Sequence, residues 1–407
     1  MPYRHPLAIT ILLAATGQAW GAGFALNEQN ASELGRAMAG RASSAANAAT
    51  VYGNPAGMAR LERAELSGGV AYIKATSDIR NASGTLPGTN KGDMVPETFI
   101  PFGYYVQPLD ERWRVGIGLY SPYGLVTDYE DGFQGRALAT KSELKMVTVQ
   151  PTISYRFSDQ WSLGFGITYN DVRGELSRAI PNPFAPGSDG LAKVKGDDDG
   201  WGYNVGVLFE LSERTRFGLA YHSEVDFTLD GHTRLTNVPL LGDARYNASL
   251  DLTLPDMIDL SATHDFGNGW TVHGGVVRTG WSSFDEIAIE NRGAPAALTR
   301  VVEEEQWDDT WSYAIGAAYR INSQWTVQGG VALDESPIPN EHRSVRVPSD
   351  DRTIYAIGAT WEPNRDLSVD FAWAYLREPD ASVNPPGYSA EFRNRAQALA
   401  VQLNWKI

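Results

Sequence analysis

Hydrophobic and small or polar residues alternate with a period of two in seven segments of this chain, most of them just after a tight polar turn. In the clearest segment Trp161, Leu163, Phe165, Ile167 and Tyr169 take one face, and Ser162, Gly164, Gly166, Thr168 and Asn170 take the other. Such alternation predicts a β-strand, because successive side chains leave a pleated strand on opposite sides. A strand with one greasy face and one small, polar face, long enough to cross ~25 Å of lipid, is what a transmembrane β-barrel requires. The same pattern recurs from Trp113 to Leu119, Phe217 to His222, Trp270 to Val276, Trp325 to Leu333, Leu367 to Tyr375 and Ala398 to Ile407.

The connections come in two kinds. Short ones lie near residues 108–111, 158–160, 212–215, 267–269, 322–324 and 362–365, most with an aromatic residue beside them. Long, polar ones lie near residues 80–93, 121–139, 178–198, 230–245, 289–304, 335–350 and 378–390. Outer-membrane barrels pair short periplasmic turns with long outer loops, and aromatic residues gather at both interfaces. Six short and seven long connections in alternation predict an all-β, 14-stranded antiparallel barrel with both termini periplasmic. A barrel of that size encloses more space than wall side chains alone can fill, as they do in eight-stranded barrels. Residues 22 to about 60, rich in Ala, Gly, Ser and Asn with little strand patterning, are the natural plug, with a short helix expected over residues 32–39.

The first residues read as an export signal. Arg4 and His5 precede a short apolar run from Leu7 to Ala15, and Ala19-Trp20-Gly21 offers a small-x-small cleavage site. The run is too short to span a bilayer as a helix. The predicted division is therefore 1–21 signal peptide, 22–63 plug and 64–407 barrel.

Composition narrows the chemistry. The absence of cysteine removes disulfide stapling, thiol catalysis and thiolate metal sites. A formal charge of −15 is wrong for nucleic acid, which needs basic patches. The 41 glycines, 12 tryptophans and 18 tyrosines suit a barrel with aromatic girdles better than a secreted sandwich or propeller. The mean hydropathy of −0.30 is no objection, since only alternate residues of each strand face lipid.

Several stretches taken in order resemble one family. AGFALNE (22–28), LGRAMAG (34–40) and NPAGM (54–58) look like the hatch of the long-chain fatty acid outer-membrane transporters and related hydrophobic-compound channels. SPYGL (121–125), TGWSSFDE (279–286) and LDESPIPNEHRSVRVPSDDR (333–352) resemble later signatures of the same family. The resemblance implies a hatch-plugged barrel in the bacterial outer membrane and passive uptake of hydrophobic small molecules. Long-chain fatty acids are the first expectation, with aromatic or aliphatic hydrocarbons and a general hydrophilic porin as alternatives. It implies a greasy groove among the outer loops, a tighter interior site beside the hatch, and lateral exit through a kinked strand. A monomer surrounded by lipopolysaccharide and outer-membrane lipid is expected, with no cofactor and no metal.

The resemblance also points to residues. Arg173 matches a basic residue that pairs with a ligand carboxylate, or is a loop-base arginine in a surface ion pair. The second interior cation of the family falls at Asp308 here, which favours a neutral ligand. Phe24 belongs to the segment that reaches the interior ligand site; Tyr123 and Leu125, just beyond the strand Trp113–Tyr120, are expected to bind ligand at the groove or its entrance, or to form the turn that leaves that strand. Asn54, Pro55 and Ala56 match the hatch turn, where Asn54 would serve as a latch. His222, His264 and His273 sit on different strands without ligand-like spacing, and nothing resembles the nucleophile elbow of a hydrolase. The acidic runs 197–199 and 303–305, with Asp308 and Asp309, read as solvated charge or as divalent-ion bridges to lipopolysaccharide phosphates.

Overall fold

A computed structural model describes residues 23–185 and 187–407; the predicted signal peptide lies outside these residues. The strands form one closed antiparallel sheet of fourteen staves. They are β1 (Glu65–Gly84), β2 (Thr98–Pro108), β3 (Trp113–Tyr120 and Gly124–Asp128), β4 (Lys141–Arg156), β5 (Trp161–Ile180), β6 (Gly190–Glu210) and β7 (Thr215–His222 and Val225–Val238). The circuit continues through β8 (Gly242–Leu254 and Met257–Asp265), β9 (Trp270–Thr279 and Glu286–Arg292), β10 (Arg300–Glu304 and Thr310–Arg320) and β11 (Trp325–Asp334). It ends with β12 (Arg352–Trp361), β13 (Leu367–Val383) and β14 (Tyr388–Lys406). Each stave pairs with the next, and β14 closes on β1 from Lys406 opposite Glu65 to Tyr388 opposite Gly84.

The period-two pattern translates directly into the wall. Trp161, Leu163, Phe165, Ile167 and Tyr169 are exposed on the outer face, while Ser162, Gly164, Gly166, Thr168 and Asn170 are buried on the inner one. Aromatic pairs stack across neighbouring staves at both rims of the apolar band, Trp161 on Phe209 at 4.5 Å and Tyr169 against Trp201 at 5.1 Å. In lipid every backbone group must be satisfied within the protein, and a closed ladder does so.

Two expectations change. Regions 178–198 and 230–245 are mostly strand, because β5 to β8 run well past the apolar band as two tall hairpins. The helix expected over residues 32–39 shrinks to Ala31–Leu34 (α1), since Ala37 and Met38 take positive φ of 51° and 64°.

Residues 23–61 lie against the inner face of the wall, with α1, Arg41–Ser44 (α2), Thr50–Gly53 (α3) and a 3-10 turn at Pro55–Arg60. Such short helices leave most of their backbone groups unpaired. Wall side chains satisfy several of them: Gln402 accepts from the Ala31 N–H at 2.9 Å, and Gln150 donates to the Val51 carbonyl at 2.6 Å. The small inner face has a steric purpose as well. A Cβ on Gly206 would overlap Asn54, and one on Gly218 would overlap the Ala42 carbonyl, so at these two points the segment lies against wall positions that have no side chain.

Candidate functional site

Five staves are interrupted, and the interruptions of four of them, β3, β8, β9 and β10, meet. In β3 the break is Ser121–Tyr123, and the first described residues pair with it. Leu26 donates its N–H to the Pro122 carbonyl at 2.8 Å, and Gly124 donates to the Phe24 carbonyl at 3.0 Å. The β9 break turns Trp281 and Phe284 inward, and the β10 break does the same for Trp307. Phe24 packs on all three, with ring centroids 4.7, 5.4 and 5.6 Å away, and on Tyr123 at 6.2 Å. Tyr123 in turn donates its hydroxyl to the Pro255 carbonyl, 3.0 Å away in the β8 break. Thus residues 23–28, 121–125 and 279–286 converge on one aromatic cluster. Leu125 sits beside it in a small gap shared with Gly23, Met94 and Val347.

Beneath the cluster is an interior cavity of about 80 Å³, touched by Tyr123, Leu26, Met146 and Met257 on its apolar side and by Arg41, His222 and Asp259 on its polar side. Arg41 and Asp259 face each other at 3.9 Å, and each keeps a buried polar atom without a hydrogen-bond partner. Burial pushes the Glu33 carboxyl up to about 7, against the pull of Arg41 and Arg36. At this volume the cavity is far below the ~300 Å³ and upward of ordinary ligand pockets.

Asn54 fastens the inner segment. Its amide donates to the Ala42 carbonyl at 2.7 Å and to the Val207 carbonyl of β6 at 3.0 Å, and its Oδ1 accepts from the Ala56 N–H at 3.0 Å. Pro55 begins the turn that follows. Toward the short-turn end, Arg156 donates to the Ala59 carbonyl at 2.6 Å, and Arg216 donates to Ser43 and Ser44 at 2.7 and 2.9 Å.

A second pocket, of about 530 Å³, opens among the long connections. Leu176, Val194, Leu235, Ile289 and Val301 give it apolar walls. Arg343 and Arg346 at its edge are engaged, the first with Asp350 at 3.2 Å and the second with Glu303 at 2.8 Å. Arg178 lines the same pocket with no ion-pair or hydrogen-bond partner among the described residues. Arg173 takes the second of its two expected roles, a loop-base arginine in a surface ion pair. It shares the outer face with Trp161 and Tyr169, its side chain is 71% exposed, and it pairs with Asp171 at 3.3 Å. An odd residue of β5 points outward, so the cation that reaches the pocket is the even-numbered Arg178. The parity of the strand carried that signal.

The remaining candidates are dispersed. His264 meets Thr215 at 2.8 Å, His273 meets Thr263 at 3.0 Å, and His222 stacks near Tyr52 at 5.3 Å. Asp308 is exposed, Asp309 pairs with Arg278, and residues 197–199 lie within β6. Trp307 was not singled out in the sequence; it is one aromatic in a polar stretch, and only the fold brings it to Phe24.

The ladder between β2 and β3 is incomplete. Gly103–Pro108 of β2 pair with β3, whereas Thr98–Phe102 pair with β1 alone. The unpaired flank faces the β3 break.

Comparison with known proteins follows the same lines. The family model described as outer membrane protein transport protein (OMPP1/FadL/TodX) matches residues 12–406. The long-chain fatty acid transport protein of Escherichia coli O6:H1 is 30% identical over 440 residues, spanning 99% of this chain and 98% of that one. A Pseudomonas aeruginosa FadL homologue of known structure superposes with a TM-score of 0.84 at 23% identity, over 95% of this chain and 100% of the other. The Ralstonia pickettii toluene transporter TbuX superposes with a TM-score of 0.69 at 18% identity, over 93% and 98%.

Proposed function

This chain belongs to the outer membrane protein transport (OMPP1/FadL/TodX) family, and from that premise we propose that it takes up hydrophobic molecules passively, long-chain fatty acids first among them. The observation that carries this reading is the outer pocket, an apolar space of about 530 Å³ with the unengaged guanidinium of Arg178 on its lining. A fatty acid offers the matching parts. Its tail gains about 0.8 kcal/mol per buried CH₂, and its carboxylate suits a guanidinium fork. The names of the curated relatives, long-chain fatty acid transport proteins, support the same cargo.

In this reading residues 1–21 are removed on export, 22–63 form the hatch, and both termini face the periplasm. Cargo collects in the outer pocket and passes to the interior cavity by parting Phe24 and its aromatic partners, since that cavity is too small as it stands. It leaves sideways past the unpaired flank of β2 into the outer leaflet. No bond is made or broken; a continuous apolar path past the polar sugar layer is sufficient. The protein acts as a monomer among lipopolysaccharide.

A second cargo, a neutral aromatic or aliphatic hydrocarbon, is favoured by one observation. Arg41 is the cation of the interior cavity, and Asp259 already faces it, so a carboxylate arriving there would meet the carboxylate of Asp259. Uptake of labelled oleate and of toluene by cells with and without the protein separates the two. Uptake of neither, or a large steady ionic current through the purified barrel, overturns the proposal.

A further inference from the structure

The outer face of β5 to β9 changes character above the aromatic rim. Across three adjacent staves, Lys193 stands opposite Arg234, and Arg234 opposite Arg245. One row nearer the membrane, Lys195 stands opposite His232, His232 opposite Asn247, and Asn247 opposite Arg292. All share the outward face with Trp201. Ser177, opposite Lys193, is eight residues beyond Tyr169 on β5. At ~3.3 Å per residue and ~40° of tilt this puts the upper row roughly 20 Å above the rim, level with the sugars of an outer leaflet.

Like charges directly opposite in a ladder are destabilising, and in this chain 49 acidic residues outnumber 34 basic ones. Yet three cations are aligned. One acid reaches the row, Glu175, which bridges Lys193 and Lys195 at 2.9 and 2.6 Å; Asp243 accepts from the Asn237 N–H, and Asp197 and Asp230 lie one row below Lys195, so Arg234 and Arg245 are left unmatched. Arg234, Arg245 and Arg292 have no ion-pair partner among the described residues. His232, between them, is held below its ordinary range by slight desolvation and by Arg245, Arg234 and Lys195.

We propose that this face docks the phosphorylated sugar region of an outer-leaflet glycolipid, with Lys193, Arg234 and Arg245 as the phosphate-binding row. Arginine binds phosphate through two parallel N–H bonds, and an anion between the staves relieves the cross-strand repulsion. The proposal rests on the reading above only for the protein's position in the outer membrane.

The full-length protein in detergent is titrated with purified lipopolysaccharide, with the same material after phosphate removal, with phosphatidylglycerol and with inorganic phosphate. The expected result is salt-sensitive binding of the phosphorylated glycolipid alone, weakened at least tenfold by Arg234→Glu with Arg245→Glu. Arg393→Glu, on the far side of the barrel in a pair with Asp380, is expected to bind within twofold of wild type. Arg234→Gln with Arg245→Gln, a milder change, is expected to weaken binding by an intermediate factor. Unchanged binding by both double variants, equal binding of the dephosphorylated material, or equal binding of phosphatidylglycerol or inorganic phosphate overturns the proposal. The titration contains no fatty acid, so it stands or falls apart from the cargo assignment.

Discussion

Gly124 donates its backbone N–H to the carbonyl of Phe24 at 3.0 Å, so the first described residues of the chain are stitched into the break of β3. The same Phe24 is 3% exposed and wedged among Trp281, Phe284 and Trp307. One short strand thereby couples the start of the chain to the interruptions of three staves. Phe24→Ala removes the wedge and leaves the two backbone bonds. The expected cost is about 3–5 kcal/mol of local stability. It is read as a lower urea midpoint of the tryptophan fluorescence change and as faster protease cleavage before Leu26, with the barrel still intact by heat-modified migration.

Asn54→Ala tests the latch. It strands the carbonyls of Ala42 and Val207 and removes the cap on Ala56, at a cost of about 1–3 kcal/mol for the buried groups left unpaired. The expected outcome is a leakier barrel, seen as higher single-channel conductance and greater sensitivity to large polar antibiotics. Gly206→Ala pushes a methyl group into the same asparagine from the wall side and is expected to give the same phenotype. An Asn54→Ala barrel as tight as wild type would assign the hold on the inner segment to Arg156 and Arg216 instead.

The wall was legible in the sequence because its physics is local. Trp161 to Asn170 alternate, and a strand must turn alternate residues to lipid; the stave count followed from turn spacing. The Asn54 turn was reached through the resemblance carried by NPAGM (54–58), not through a local pattern. The pocket was not legible, since its walls come from Leu176, Leu235 and Ile289 on different staves, and no pattern along the chain joins them. Arg173 carried two readings in the sequence, and strand parity separates them. Its position matched but its parity was outward, and a one-residue step on a strand reverses the face. The tall hairpins of β5–β8 escaped notice because polar residues on both faces look like loop when no apolar row marks one side.

Arg178→Ala separates charge from greasiness in the outer pocket. Losing a charge-assisted hydrogen bond costs about 1.5–3 kcal/mol, so oleate affinity is expected to fall by roughly tenfold to a hundredfold. Toluene uptake, which has no carboxylate to lose, is expected to stay within twofold. Arg173→Ala, outward and solvated, is expected to change neither. Equal loss for oleate and toluene would mean that Arg178 shapes the pocket and does not bind the headgroup.

Glu305 gives the aromatic cluster a pH dependence with a definite sign. It lies in the β10 break, 3% exposed, and accepts a hydrogen bond from the Trp307 indole at 3.0 Å. Burial, with the neighbouring Glu303 adding to it, pushes its carboxyl up from 4.5 to about 8. The folded protein therefore holds a proton here that the unfolded chain has released. Its stabilising contribution is complete below about 4.5 and is lost progressively as the pH rises through about 8, at up to about 1.4 kcal/mol per pH unit inside that window. Glu305→Gln keeps the shape and cannot ionise. The wild-type urea midpoint is expected to drop further than that of the variant between pH 5 and pH 9, and Trp307 to become more accessible to fluorescence quenchers only in the wild type. Parallel curves for the two proteins would show that Glu305 stays ionised in its niche, with Arg346 compensating its charge.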